Sequence, residues 1–340
     1  MSEKEKKNRI KVLDMHTGGE PLRIVTDGYP DIDGSSILEK RRFAKEKLDH
    51  LRLFIMAEPR GHRDMYGAVL VKTENSDADI GVLFMHNEGY STMCGHGIIA
   101  LGRYVVDHEL VEVSEPETKV VFDCPCGLVE TTIKVTGGKA GAVSFKSVPS
   151  FVYSLDHLVR VPGLGDIAID VAYGGAFYAI VDASRFKLDV MRAPSRLLLD
   201  AADTISRTVR NTLSVEHPLD ADLSYLYGTI LTDGKDEFSA DQPTGNVCVF
   251  ADGQIDRSPT GSGVSARLAV QHARGQIALH QVRRFKSATD AEFTGKIIEE
   301  TECGKYLAVV TEISGRANYV GESTFWLDEN DNLGKGFLLR

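Results

Sequence analysis

Cys94-Gly95-His96-Gly97 is the stretch of this 340-residue chain whose side chains are best suited to chemistry. A small, glycine-rich turn, Ser91–Gly97, runs into an apolar segment of helical spacing, Ile98–Tyr104, so the thiol and imidazole fall at a predicted helix start. Backbone N–H groups there lack intrahelical partners and carry the positive end of the macrodipole. A thiol so placed loses its proton more readily, and the same N–H groups can hold a carboxylate. Such a thiol serves as nucleophile, redox centre, metal ligand or base. Nucleophilic use needs a histidine partner, and two-residue spacing on a helix points the side chains of Cys94 and His96 apart. Metal binding needs further ligands at suitable gaps, which neither Cys94-Gly95-His96 nor Cys124-Pro125-Cys126 offers. No metal and no cofactor are expected.

The turn has a second copy. Thr260-Gly261-Ser262-Gly263-Val264-Ser265-Ala266 aligns with Cys94-Gly95-His96-Gly97-Ile98-Ile99-Ala100. Upstream, Gly18–Val25 aligns with Gly174–Val181 and Gly67–Leu70 with Gly228–Leu231; in chain order the three offsets are 156, 161 and 166. Ordered matches at a slowly growing offset indicate an internal duplication. Two related halves would turn two helix starts into one cleft and hold an anion from both sides. N–H groups closing on a carboxylate would stabilise charge as a proton leaves the adjacent carbon. The pattern suits proton abstraction α to a carboxylate.

The elements that must position these turns read as α+β with mixed sheets. Strands are expected at Arg9–Leu13, Leu22–Val25, Ala68–Val71 and Ile80–Met85, with an amphipathic helix over Ser36–Leu53 and a buried helix over Gly97–His108, inside a curled sheet. Strands at Thr118–Phe122, Gly127–Val135 and Ala142–Val148 follow. The second half repeats the programme, with helices at Pro194–His217 and Gly263–Arg274. The expected domains are 9–155 and 165–316, joined by a polar connection at Pro149–Gly165. The tail, 317–340, reads as strands that close one of them, the N-terminal half being a candidate. A net charge of −10 argues against nucleic acid and anionic membrane as partners. The charged run Met1–Lys11 has no signal-peptide pattern, and no apolar stretch is long enough to span a bilayer. Five cysteines without a framework favour a reducing cytoplasm.

Four motifs carry a resemblance: Asp14-Met15-His16-Thr17-Gly18-Gly19-Glu20-Pro21, Glu58–Gly67, Met93–Gly97 and Asp256–Gly261 together resemble the proline racemase family. The resemblance implies a diaminopimelate-epimerase-like fold, two pseudo-symmetric domains with the active site in the cleft between them, and a cofactor-free reaction on a cyclic amino acid. The family places one cysteine on each face of the α-carbon, and here the second falls on Thr260. A threonine hydroxyl is a poor acid or base at neutral pH, so two-base racemisation is disfavoured while one-base chemistry survives. The Cys/Thr pair is similar to that of trans-3-hydroxy-L-proline dehydratases within the family: Cys94 takes the α-proton, the 3-hydroxyl leaves, and the enamine tautomerises to pyrroline-2-carboxylate. Gly95, His96, Gly261 and Ser262 would offer N–H groups to the carboxylate. Asp256 and the His96 side chain would lie near the ring nitrogen, and Thr260 near the departing hydroxyl or an ordered water. His16, Glu20, Glu58 and His62 are read as loop scaffolding. A homodimer is the assembly the resemblance admits. The competing readings are a proline racemase or 4-hydroxyproline 2-epimerase, and a binding protein that has lost catalysis.

Overall fold

In a computed structural model, residues 9–236, 241–251, 253–328 and 330–339 are described; the charged run before Arg9 lies outside them. The chain divides into two compact units, Met1–Val143 with Arg316–Arg340, and Ser144–Gly315.

In the first unit, β1 (Arg9–Thr17) turns through Gly18 and Gly19, both at positive φ, into antiparallel β2 (Glu20–Asp27). Helices α1 (Ile37–Lys47) and α2 (Asp49–Met56) precede β3 (Tyr66–Val71), which lies parallel to β2. Strand β4 (Ile80–His86) is antiparallel to β3 and is followed by short β5 (Gly89–Tyr90) and helix α3 (Gly95–Asp107). Strand β6 (Glu117–Cys124) then lies parallel to β4, β7 (Gly127–Thr136) antiparallel to β6, and β8 (Lys139–Lys146) leads out of the unit.

The second unit holds β9 (Ser150–Val161), β10 (Gly165–Tyr173), β11 (Phe177–Asp182), helix α4 (Ser195–Thr212), β12 (Leu226–Thr232), β13 (Thr244–Phe250) and β14 (Gln254–Asp256). Helix α5 (Gly261–Ala273), β15 (Arg283–Lys286), β16 (Glu292–Cys303) and β17 (Tyr306–Gly315) complete it. Its successive pairings, β10 with β11, β12, β13, β15 and β16, run antiparallel, parallel, antiparallel, parallel, antiparallel. The first unit repeats that order from β1 to β7. The final strand, β18 (Ala317–Trp326), returns to the first unit antiparallel to β1, as β9 lies antiparallel to β10. The internal duplication is thus a duplication of topology, in mixed α+β sheets.

Each unit has a helix that no ordinary surface helix resembles. Helix α3 packs against β1, β2, β7 and β18, and α5 against β9, β10, β11, β16 and β17. Eleven residues of α3, from Gly95 to Val106, are buried. Burial on all sides fits a helix almost without charge. The amphipathic helices lie outside: α4 buries Leu198, Ala202, Ile205 and Val209 into an apolar cluster with Phe177, Leu231 and Val249.

Three expected elements differ. The helix expected over Ser36–Leu53 breaks at Leu48, whose φ of −117° and ψ of 6° end α1 before α2 begins. The long helix of the second unit ends at Thr212 rather than His217. The segment read as a polar connection, Pro149–Gly165, contains β9 (Ser150–Val161), whose alternation is interrupted at Asp156, a residue at φ 50°.

A close approach holds α5 against the turn between β10 and β11. A Cβ on Gly174 would stand 2.2 Å from the Ser262 carbonyl oxygen and 2.5 Å from the Ala266 nitrogen, both backbone atoms that cannot rotate away. Gly174→Ala should therefore destabilise the protein by about 3 kcal/mol, measured by urea unfolding; a change below about 0.5 kcal/mol, the scale of a neutral surface substitution, would contradict this packing.

Candidate active site

Cys94 is the N-cap of α3, with extended torsions (φ −147°, ψ 99°). Its sulfur folds back over the helix start and accepts a hydrogen bond from the Gly97 N–H at 3.2 Å. One of the first-turn donors that a helix leaves unpaired is thereby directed at sulfur, an arrangement that favours the anion. Gly97 permits it: a Cβ there would stand 2.7 Å from Sγ and 2.7 Å from the Phe84 ring. The Cys94 side chain is only 4% exposed.

His96 stands beside the sulfur. Sγ lies 3.3 Å from Nδ1 and 3.6 Å from Nε2, so the expectation that the two side chains point apart is corrected. The rule applies between residues within a helix; Cys94 is an extended cap whose sulfur lies over the first turn. The ring is fixed from the other side, since Nε2 is 3.3 Å from the carbonyl oxygen of Pro21. A carbonyl can only accept, so Nε2 carries a proton and Nδ1 is the nitrogen that faces sulfur. The Tyr66 ring meets the imidazole edge-on at 4.9 Å, and the Thr17 hydroxyl donates to the His96 carbonyl at 2.9 Å. Gly95 and His96 occupy the first turn of α3, where the N–H groups were expected.

The second turn is built differently. Thr260 caps α5 at φ 65° and ψ 91°, a torsion unusual for a β-branched residue and a local strain. Its side chain does not cap the helix; the hydroxyl donates to Asp256 Oδ2 at 2.8 Å. The other Asp256 oxygen accepts from the Ser258 N–H at 2.7 Å, and the Ser258 hydroxyl accepts from the Thr260 N–H at 3.1 Å. Asp256, Thr260, Gly261 and Ser262 are all buried. The Ser262 hydroxyl is 2.7 Å from the Tyr178 hydroxyl, and burial pushes the Tyr178 phenol up, with Cys248 and Tyr227 adding to the effect.

The structure thus brings Cys94, Gly95 and His96 together in the first unit, and Asp256, Thr260, Gly261 and Ser262 together in the second. Pro21, Tyr66 and Tyr178 belong to neither prediction. Pro21 and Tyr66 lie within two of the four family motifs, but a carbonyl contact and ring packing leave no mark on residue type. His16 and Glu20 lie on β1 and β2 rather than in a loop; His16 Nδ1 accepts from Gly19 N–H at 3.2 Å. Glu58 pairs with Phe337 through both backbone bonds, and His62 Nδ1 is 2.6 Å from the Arg63 carbonyl. Cys124 ends β6 and Cys126 lies in the turn to β7, its N–H donating to the Thr92 carbonyl at 3.1 Å. Burial, then Cys126, Asp123 and Cys94 nearby, push the Cys124 thiol up, which suits packing rather than reactivity. His86 is held down to about 3 by burial and by Arg52 and Arg41, so it is neutral and no base at ordinary pH. Among the described residues no cluster of three His, Cys, Asp or Glu could hold a metal ion, and no helix is long and apolar enough to cross a membrane.

The family model for proline racemase matches residues 12–338. The chain is 55% identical over 333 residues to the trans-L-3-hydroxyproline dehydratase of Xenopus tropicalis, covering 97% of this chain and 95% of that protein. Among solved structures, it is similar to a probable proline racemase from Agrobacterium radiobacter K84 with bound carbonate, at TM-score 0.91 and 31% identity, covering 97% of this chain and 96% of that one. A hydroxyproline epimerase from Agrobacterium vitis with bound trans-4-hydroxy-L-proline matches at TM-score 0.91 and 29% identity, over 98% of this chain and 96% of that one. A duplicated topology, two glycine-rich helix starts in their expected places and a match running through both units lead to one statement: this chain belongs to the proline racemase family.

Proposed function

We propose that the protein is a hydro-lyase that dehydrates trans-3-hydroxy-L-proline to pyrroline-2-carboxylate without a cofactor, Cys94 acting as the single base. The observation that carries this reading is the inequality of the two turns. One presents a thiol served by an N–H and an imidazole; the other presents a hydroxyl already bonded to a carboxylate. Kinship with trans-L-3-hydroxyproline dehydratases supports the substrate.

In this reading the thiolate removes the α-proton and the 3-hydroxyl departs, leaving an enamine that tautomerises to the cyclic imine. N–H groups of Gly95 and His96, and those of Gly261 and Ser262, hold the substrate carboxylate and stabilise the charge that spreads into it. Asp256 answers the cationic ring amine. A threonine in place of a second thiol leaves no competent acid to return the proton to the opposite face, so elimination outruns racemisation. Five free thiols support a cytoplasmic setting, and the family resemblance supports a homodimer.

The reading is tested by incubating the protein with trans-3-hydroxy-L-proline, L-proline and trans-4-hydroxy-L-proline. Imine detected with o-aminobenzaldehyde from the first alone is expected; a change of optical rotation with either of the others would indicate an isomerase, and silence throughout a binding protein. Cys94→Ser should cut turnover by about 10³-fold or more with an unchanged circular dichroism spectrum, because a hydroxyl does not replace a thiolate base. Activity near the wild-type level would remove Cys94 from its role. Thr260→Cys should add measurable epimerisation at the α-carbon by supplying a second acid; a variant that still eliminates but never epimerises would show that this residue does not separate the two reactions.

A further inference from the structure

The acid that protonates the leaving hydroxyl is unassigned in the reading above, and stereochemistry restricts where it stands. In trans-3-hydroxy-L-proline the hydroxyl lies on the ring face opposite the carboxylate. The α-hydrogen also lies opposite the carboxylate, so hydrogen and hydroxyl share one face and sit on adjacent carbons. A base that takes the first approaches from the side on which the second must be protonated. The acid therefore belongs beside Cys94.

The structure places a titratable side chain, the His96 imidazole, in contact with the Cys94 sulfur. His96 Nδ1 is 3.3 Å from Sγ, whereas its Nε2 is engaged by the Pro21 carbonyl. The Thr260 hydroxyl, the residue expected near the departing group, already donates its proton to Asp256. We infer that His96 is the general acid of the elimination, delivering its Nδ1 proton to the 3-hydroxyl while Cys94 takes the α-proton. This assignment rests on the dehydratase reading and adds the missing half of its proton balance.

The step closes on itself. The Cα–H bond breaks as hydrogen passes to the thiolate, and its electron pair forms the C2–C3 double bond. The C3–O bond breaks with its electrons going to oxygen, which takes the Nδ1 proton and leaves as water. Cys94 is then a thiol and His96 a neutral imidazole. Transfer of the thiol proton across the 3.3 Å contact to Nδ1 restores both groups. Nε2 keeps its proton on Pro21 throughout, so the ring neither flips nor changes the nitrogen it presents. The substrate loses one water and no net proton is exchanged with solvent.

A leaving group that needs no proton isolates this role. His96→Asn keeps a polar atom at the Nδ1 position but cannot act as an acid. Wild type and variant are compared on trans-3-hydroxy-L-proline and on the 3-fluoro analogue of the same configuration, from which fluoride departs unprotonated. Imine is followed for the first and fluoride for the second. The loss of kcat in His96→Asn should be greater by about 10²-fold on the hydroxy substrate than on the fluoro analogue. Equal losses on both, in His96→Asn and in His96→Gln, would overturn the assignment and leave His96 as a support for the thiolate. Full activity of the variant on the hydroxy substrate would also overturn it. A wild type that eliminates from neither compound would overturn the dehydratase reading itself, and the acid with it.

Discussion

A sulfur atom held at the start of a buried helix is the interaction on which the first unit is organised. Cys94 is extended where the helix begins, and its Sγ meets the Gly97 N–H. Residue 97 has no side chain because sulfur and Phe84 occupy its place. Helix α3 is apolar because strands enclose it, so its N-terminal dipole acts in a medium that screens it little. The Pro21 carbonyl, on β2, determines which imidazole nitrogen faces the thiol. A surface helix carrying the same four residues would have the same sequence signature and far weaker electrostatics.

Duplication makes the comparison within the molecule informative. The two units share pairing order, buried helix and glycine-rich start, yet their caps do opposite things. Cys94 has ordinary extended torsions and turns its side chain onto its own helix; Thr260 sits at positive φ and turns its hydroxyl away, onto Asp256. Strain at Thr260 is sustained by a small network in which Asp256 holds both the hydroxyl and the Ser258 N–H. One scaffold therefore presents a reactive group in one copy and a spoken-for hydroxyl in the other. That inequality is the observation on which the proposed one-base chemistry rests.

Much of this was legible beforehand, because glycines with structural duties recur at fixed places. Gly18-Gly19 and Gly174-Gly175 mark equivalent tight turns, and the two glycine-flanked caps mark equivalent helix starts. Those constraints act locally and so survive in sequence. The contacts that decide chemistry depend on torsions and on distant chain. The Cys94–His96 contact follows from an extended cap torsion that residue names do not encode, and the Pro21 contact joins residues 75 apart. Strand β9 was obscured by flanking proline and glycine and by an aspartate at positive φ that breaks its alternation. The break at Leu48 was invisible because both flanking helices share one apolar spacing.

The proposed reaction turns on removal of the α-proton by a single base without return from the opposite side. The stereochemistry of substrate recovered part-way through reaction in deuterium oxide measures this directly. Recovered trans-3-hydroxy-L-proline should retain its configuration at Cα, any deuterium found there lying where the original hydrogen was. Deuterium-bearing cis-3-hydroxy-D-proline in the same mixture would mean that a second acid reaches the far face, and would contradict one-base elimination.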